Sequence, residues 1–105
     1  MTTGFALEYI KRRMLELGFG DRFLLKYRHL QLQAREVRTI DANNQFYLLI
    51  EPDDTIAVSS KFGQYNISDR GINEMQYEHR GTIKVSNISE GYAYAKFIQV
   101  IPKHK

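Results

Sequence analysis

The spacing of apolar positions opens on a helical period and then shortens to a period of two. Ala6, Ile10, Met14 and Leu17 recur at steps of four, four and three, with Phe5 and Tyr9 beside them, so residues 3–17 predict one amphipathic helix. Thr3 stands where an N-cap is wanted, and Gly18 where a left-handed residue ends a helix. Beyond the connector Phe19-Gly20-Asp21, Phe23, Leu25 and Tyr27 take one parity whereas Leu30, Leu32 and Ala34 take the other. A one-residue shift exchanges the faces of a strand, so this pattern predicts a strand with a bulge or bend near Arg28-His29. A helix over 24–38 is the competing reading, because Leu, Gln, Ala, Arg and Glu are good helix formers.

Further along, Asp41-Ala42-Asn43-Asn44 reads as a turn, and Phe46 to Ile50 as a buried strand stopped by Pro52-Asp53-Asp54. Short strands are expected over 55–60, 63–67 and 75–79, with a polar loop over 66–73. The strongest pattern lies between Glu78 and Pro102. There Gly81 to Asn87 alternates, Ile88-Ser89-Glu90-Gly91 reads as a turn, and Tyr92 to Ile101 alternates before turning apolar on both parities at Phe97, Ile98, Val100 and Ile101. The expectation is a β-hairpin whose second arm is central in its sheet and covered on both sides. The whole predicts a mainly β fold: a small antiparallel β-sandwich, jelly-roll-like, or a barrel of about seven strands with one N-terminal helix. A single domain spans 1–105, with the helix at 3–17 and the sandwich at 22–102.

Composition narrows the function classes. The 105 residues include no cysteine, which removes disulfide scaffolds, thiolate metal sites and cysteine nucleophiles together. There is no apolar run of about 18 residues and no signal-peptide pattern, so the expectation is a soluble protein of cytoplasmic synthesis with no membrane span. Seven Tyr and six Phe without a Trp suit strands and interfaces, since tyrosine joins a large apolar ring to a polar tip.

The net charge of +3 is unevenly placed: through Arg38 there are eight basic and four acidic residues, and beyond it seven basic and eight acidic. Such asymmetry marks a face for nucleic acid or an acidic partner, or a solvated arginine-decorated surface.

Catalytic and metal-binding chemistry finds little footing. His29, His79 and His104 include no pair one residue apart with a carboxylate following, as a metal-binding jelly roll would show. Asp53, Asp54, Asp69, Glu74 and Glu78 lack the regular spacing of a calcium loop. A nucleophile elbow, a phosphate-cradling loop and a dinucleotide fingerprint are all missing from the sequence. No enzyme activity, cofactor, metal or small-molecule substrate is therefore expected. Asn66 and Asn87 head Asn-x-Ser sequons, read here as turn chemistry at strand ends.

The leading expectation is a structural or assembly protein, a subunit of a larger homo-oligomer or particle. Tyr9, Arg12, Arg13, Tyr92, Tyr94 and Phe97 are its interface candidates, meeting further copies or other structural subunits. Phage virions use small sandwiches of this build as capsid, vertex or decoration pieces, an analogy at the level of fold. The first alternative is a nucleic-acid-binding small barrel with Arg22, Lys26, Tyr27, Arg28, Arg35 and Arg38 as its basic and aromatic face. A second is a carbohydrate-binding module using Tyr65, Tyr77, Tyr92 and Tyr94.

Overall fold

The computed structural model describes residues 3–61, 64–65 and 78–103. α1 (Thr3–Glu16) buries Ala6, Tyr9, Ile10 and Met14 on one face, the stripe that the helical spacing marks. Its C-terminus is closed by a Schellman motif. Gly18 takes φ +86°, Phe19 N–H donates to Met14 O at 2.9 Å, and Gly18 N–H donates to Leu15 O at 3.1 Å. Phe19 then packs in the same apolar cluster as Met14, and the Arg22 guanidinium donates to Gly18 O and Phe19 O, placing a cation at the negative end of the helix. Leu17 falls in this cap rather than on the stripe, so it stays partly exposed.

The strands are β1 (Phe23–Leu32), β2 (Val37–Pro52), β3 (Ile56–Ser59), β4 (Gln64–Tyr65), β5 (Glu78–Asn87) and β6 (Ala93–Pro102). All pairings are antiparallel in one sheet of order β1-β6-β2-β5-β3-β4, in which β4 has only two residues. The mainly β antiparallel class with an N-terminal helix is the one formed. The described strands make a single sheet, not the two of a sandwich, and are fewer than seven.

The sheet coils on itself. Gln33, just past β1, accepts a hydrogen bond from Asn87 Nδ2 at the end of β5 at 2.9 Å. β1 and β5 are three places apart in the strand order, about 14 Å if the sheet were flat.

Two apolar clusters lie on opposite faces. One gathers α1 with Phe46, Leu48, Ile50, Ile98 and Val100, and with Phe23 and Leu25 at its margin. The other gathers Leu32, Tyr47, Leu49, Ile56, Val58, Ile83, Val85 and Phe97. β6 lies between them, and Phe97, Ile98, Gln99 and Val100 are all buried, as expected of a doubly covered central strand. β5 and β6 are not a hairpin, however, because β2 runs between them. β2 has sixteen residues and serves both neighbours, pairing with β5 through Val37–Ala42 and Phe46–Leu48, and with β6 through Phe46–Pro52.

The parity change in β1 has the same origin. Its ten residues pair with β6 without a register shift, so there is no bulge at Arg28-His29. Phe23 and Leu25 face α1, whereas Leu30 and Leu32 face the second cluster at the other end of the strand. The bulge occurs instead in β2, where Ala42 pairs with Gly81 and Phe46 with the adjacent Arg80. Asn43-Asn44-Gln45 is looped out between them with Asn44 at φ +59°. The Asp41–Asn44 stretch is thus a bulge inside a continuous strand, not a turn between two.

Asn87 ties the coiled ends together. Buried at 2% exposure, it donates from Nδ2 to Gln33 O and to Gly91 O at 2.9 and 2.8 Å. Its Oδ1 accepts from Ser89 N–H, Ser89 Oγ and Thr55 Oγ1 at 3.1, 2.9 and 3.0 Å. Its backbone N–H donates to Glu36 O at 2.9 Å. One side chain thus joins the β1–β2 link, the β5–β6 link and the start of β3. Nδ2 is the atom a glycan would occupy, so the folded chain cannot carry one at this sequon. Asn66 lies outside the described residues, as do 66–73, 75–77 and 104–105.

Glu36, in the β1–β2 link, has its pKa lowered by the Gln33 N–H that it accepts and then by Arg38.

Replacing Asn87 with Ala removes a buried side chain that hydrogen-bonds to the β1–β2 link, the β5–β6 link and Thr55, and should lower unfolding free energy by about 3 kcal/mol. Asn87→Asp, which turns an oxygen toward Gln33 O and Gly91 O, should cost at least as much in urea unfolding with the m-value unchanged. A loss below about 0.5 kcal/mol for both variants would contradict this role.

Candidate interaction surface

Three places on the described molecule have the character of a site: a buried charge cluster under α1, a cleft at the β2 bulge, and an uncovered region of β1 and β6. The charge cluster centres on Glu78, which has no solvent exposure and lies opposite Leu48 on the face covered by α1. Tyr9 Oη and Arg13 Nε donate to its Oε1, the latter at 2.9 Å, and Arg80 Nε donates to its Oε2 at 2.9 Å. Arg13 Nη1 also meets Glu16 at 2.7 Å. The Arg13 pKa is raised above its ordinary value, first by the hydrogen bond to Glu78 and further by Glu16, with burial opposing. The Arg80 guanidinium lies 5.1 Å from the centre of the Phe46 ring, and that of Arg12 lies 5.6 Å from the Tyr9 ring. Tyr9 and Arg13 thus tie the helix to the sheet through Glu78, while the Arg80 contacts lie within the sheet and the Arg13–Glu16 and Arg12–Tyr9 contacts within the helix.

The bulge opens a cleft of about 340 Å³ lined by Phe19, Asn43, Asn44, Gln45, Arg80 and Pro102, among others. Its one cation is already held by Glu78, and Gln45 accepts from Gln99 Nε2. What remains is an amide-lined notch.

The third place follows from the length of α1. Fourteen helical residues span about 21 Å and cover β1 only at Phe23 and Leu25. Beyond them on the same face, β1 presents Tyr27, His29 and Gln31, and β6 presents Tyr94 and Lys96. Tyr27 and Tyr94 are 63% and 42% exposed. The His29 and Tyr94 rings meet at 5.1 Å, and a depression of about 230 Å³ lies among Tyr27, His29, Ile50 and Lys96. Tyr94 is held by Asp53, whose Oδ2 accepts from Tyr94 N–H at 2.7 Å and whose own N–H donates to Tyr94 O at 2.8 Å. Lys96 reaches Glu51 at 3.4 Å, an exposed pair worth little in water.

The interface candidates divide. Tyr9 and Phe97 are core residues, and Arg13 is held by Glu78, so none of the three is offered to a partner. Their apolar spacing and charge describe internal packing equally well, which is why sequence placed them outside. Arg12, Tyr92 and Tyr94 are exposed.

The basic set is likewise dispersed. Arg22 caps α1, Arg35 pairs with Glu90, and Arg38 pairs with Glu36 and donates to Gln31 O. Lys26 and Arg28 point to the face opposite Tyr27, since neighbouring strand residues alternate. Among the described residues neither Lys26 nor Arg28 has an ion pair. Tyr92 remains available for stacking, and the side chains of Tyr65 and Tyr77 lie outside the described residues.

His79 is buried beside Ser60, with Nδ1 3.1 Å from Oγ, and His104, Asp69 and Glu74 lie outside the described residues. Among the described residues no group of three or more His, Asp or Glu is placed to hold a metal. Sequence reasoning missed His29, Ile50 and Lys96 as parts of one surface. The available signal was the shared parity of Tyr27 with His29 and of Tyr94 with Lys96 on strands that turn out to be neighbours.

No family model, curated protein or solved structure matches the chain.

Glu78→Gln removes the counter-charge of two guanidiniums and should destabilise the fold by about 3 kcal/mol, the scale for breaking a buried pair. Tyr9→Phe removes one hydrogen bond and should cost about 1 kcal/mol. Chemical unfolding checks both values. A Glu78→Gln loss no larger than that of Tyr9→Phe would show that the carboxylate does not anchor α1.

Proposed function

We propose that the protein is a non-enzymatic structural subunit that enters a larger assembly through the uncovered β1–β6 surface. The observation that carries this is the run Lys26-Tyr27-Arg28-His29, exposed on both faces of a strand at the edge of the sheet. A chain that buries one end of β1 under a helix and the other in a second core leaves its middle bare. Interfaces favour the residue types found there, tyrosine and arginine above all. Self-association or contact with other structural subunits would cover Tyr27, Tyr94 and the depression beside Ile50. A particle such as a virion, with this chain as a capsid, vertex or decoration component, is one setting for such an assembly, and it rests on the mainly antiparallel β class alone.

Single-stranded nucleic acid is the second reading, favoured by the His29–Tyr94 ring pair beside Lys96. Lys26 and Arg28 lie on the opposite face of β1, so a chain wrapping the edge of that strand would meet all three cations. Three cations meeting phosphates would give log K a slope of about −2 against log salt for a single strand. Absence of binding to oligothymidylate at low salt removes this reading.

Light scattering from micromolar to millimolar protein should show association, and the double variant Tyr27→Ala, Tyr94→Ala should weaken it by about tenfold or more with the melting temperature nearly unchanged. A strictly monomeric protein at every concentration, with no partner recovered from its native source, would overturn the assembly reading.

A further inference from the structure

We infer that β1 is a docking edge for an extended acidic segment of another protein, which adds beside β1 as a further strand. The inference rests on the reading of β1–β6 as the contact region and names the partner for its edge.

Among the described residues β6 is the only strand paired to β1, over all ten of its residues. An edge strand of that length turns about five backbone N–H and C=O sets outward, and of these Gln31 O already accepts from Arg38. Exposed edges are usually blunted by charge, by a bulge or by being short. β1 is long and unbulged, so charge is its remaining guard. Phe23–Leu32 contains Lys26, Arg28 and His29 and not one acidic residue.

That guard is selective. Antiparallel pairing of β1 with a second copy about Tyr27 would set Lys26 directly against Arg28 on the same face, twice across the two-fold axis. Moving the centre to Arg28 sets the two Arg28 side chains against each other. Like charges directly opposite destabilise a sheet, so a second copy of this chain is disfavoured in the two registers that overlap β1 most fully.

A strand with carboxylates at alternate positions reverses the sign of both contacts, because Lys26 and Arg28 are two residues apart and share a face. Leu24, exposed at 48%, extends that face with an apolar contact, and Tyr27 offers its ring on the other. Backbone bonds would supply affinity and the two cations the choice of sequence, the division of labour of strand addition.

The test uses the full chain and two synthetic ten-residue peptides that alternate valine and threonine with glutamate or with lysine at every second position. NMR of the β1 amides follows the titration at physiological salt. The glutamate peptide should bind at least about tenfold more tightly than the lysine peptide, shift the amides of residues 24–30, and lose binding when N-methylated at alternate positions. The double variant Lys26→Glu, Arg28→Glu, both exposed, should fold normally and reverse the preference.

Failure of the glutamate peptide to bind, equal binding of both peptides, or binding that survives N-methylation would each overturn the proposal. So would protection of β1 amides that rises with protein concentration alone, the mark of a second copy, or tighter binding of oligothymidylate at the same amides. Light scattering on the same samples separates the two levels: loss of peptide binding with self-association intact removes the edge proposal, and loss of both removes the assembly reading with it.

Discussion

A carboxylate with no exposure to water decides where α1 sits. Glu78 would be prohibitively expensive to bury unpaired, and its partners come from two directions: Tyr9 and Arg13 from the helix, and Arg80 from its own strand. The helix is therefore placed by charge as well as by its apolar stripe. Apolar packing alone is non-directional and would tolerate a slide along the sheet; a hydrogen-bonded ion pair is far less forgiving. Once Tyr9 and Arg13 are fixed over β5, Ile10 and Met14 meet Phe46, Leu48 and Val100, and the Gly18 cap delivers Phe19 to the same cluster.

This placement has a consequence on the other side of the sheet axis. Because the cover that α1 gives β1 ends at Leu25, the face of β1 and β6 beyond it carries side chains suited to water at their tips and to contact along their rings. β6 can be apolar on both parities because it has a cover on each side, whereas β1 is buried at its two ends by different clusters and bare in the middle. The contact surface is thus what remains after a short helix and a coiled sheet have each taken their share. Asn87 contributes by holding the coil closed: its bond to Gln33 O keeps the end of β1 near β5, which directs Leu30 and Leu32 inward and leaves Lys26 to His29 at the rim.

Much of the architecture was legible in the sequence. The helix, its glycine stop, the mainly β class and the doubly covered final strand all follow from period and punctuation, which are local properties. The pairing of β2 between β5 and β6 was not legible, because strand order depends on contacts across the chain and the turn-rich link at 88–91 matches a hairpin link in composition. The parity change in β1 was visible but had two causes, a bulge or a change of cover, and only the unshifted register with β6 separates them. Asn43-Asn44 likewise reads as a turn because a bulge draws on the same positive-φ residues. Glu78 looked like any polar strand residue, since nothing in its neighbours announces that the helix will lie over it. For the surface, residue types were legible and their grouping was not: Tyr94 and Phe97 are three residues apart, and one is exposed while the other is core.

The central claim is that the outer edge of β1 is open in the free protein while β6 is sealed from both sides. Residue-resolved hydrogen exchange under native conditions tests it most directly. The amides of Ile98, Gln99 and Val100 should exchange only through global unfolding, and those of β1 between Lys26 and Leu30 should alternate, every second one exchanging orders of magnitude faster as its N–H points to solvent. Uniformly slow exchange along β1 at low protein concentration would show that the edge is already covered, and would contradict the account.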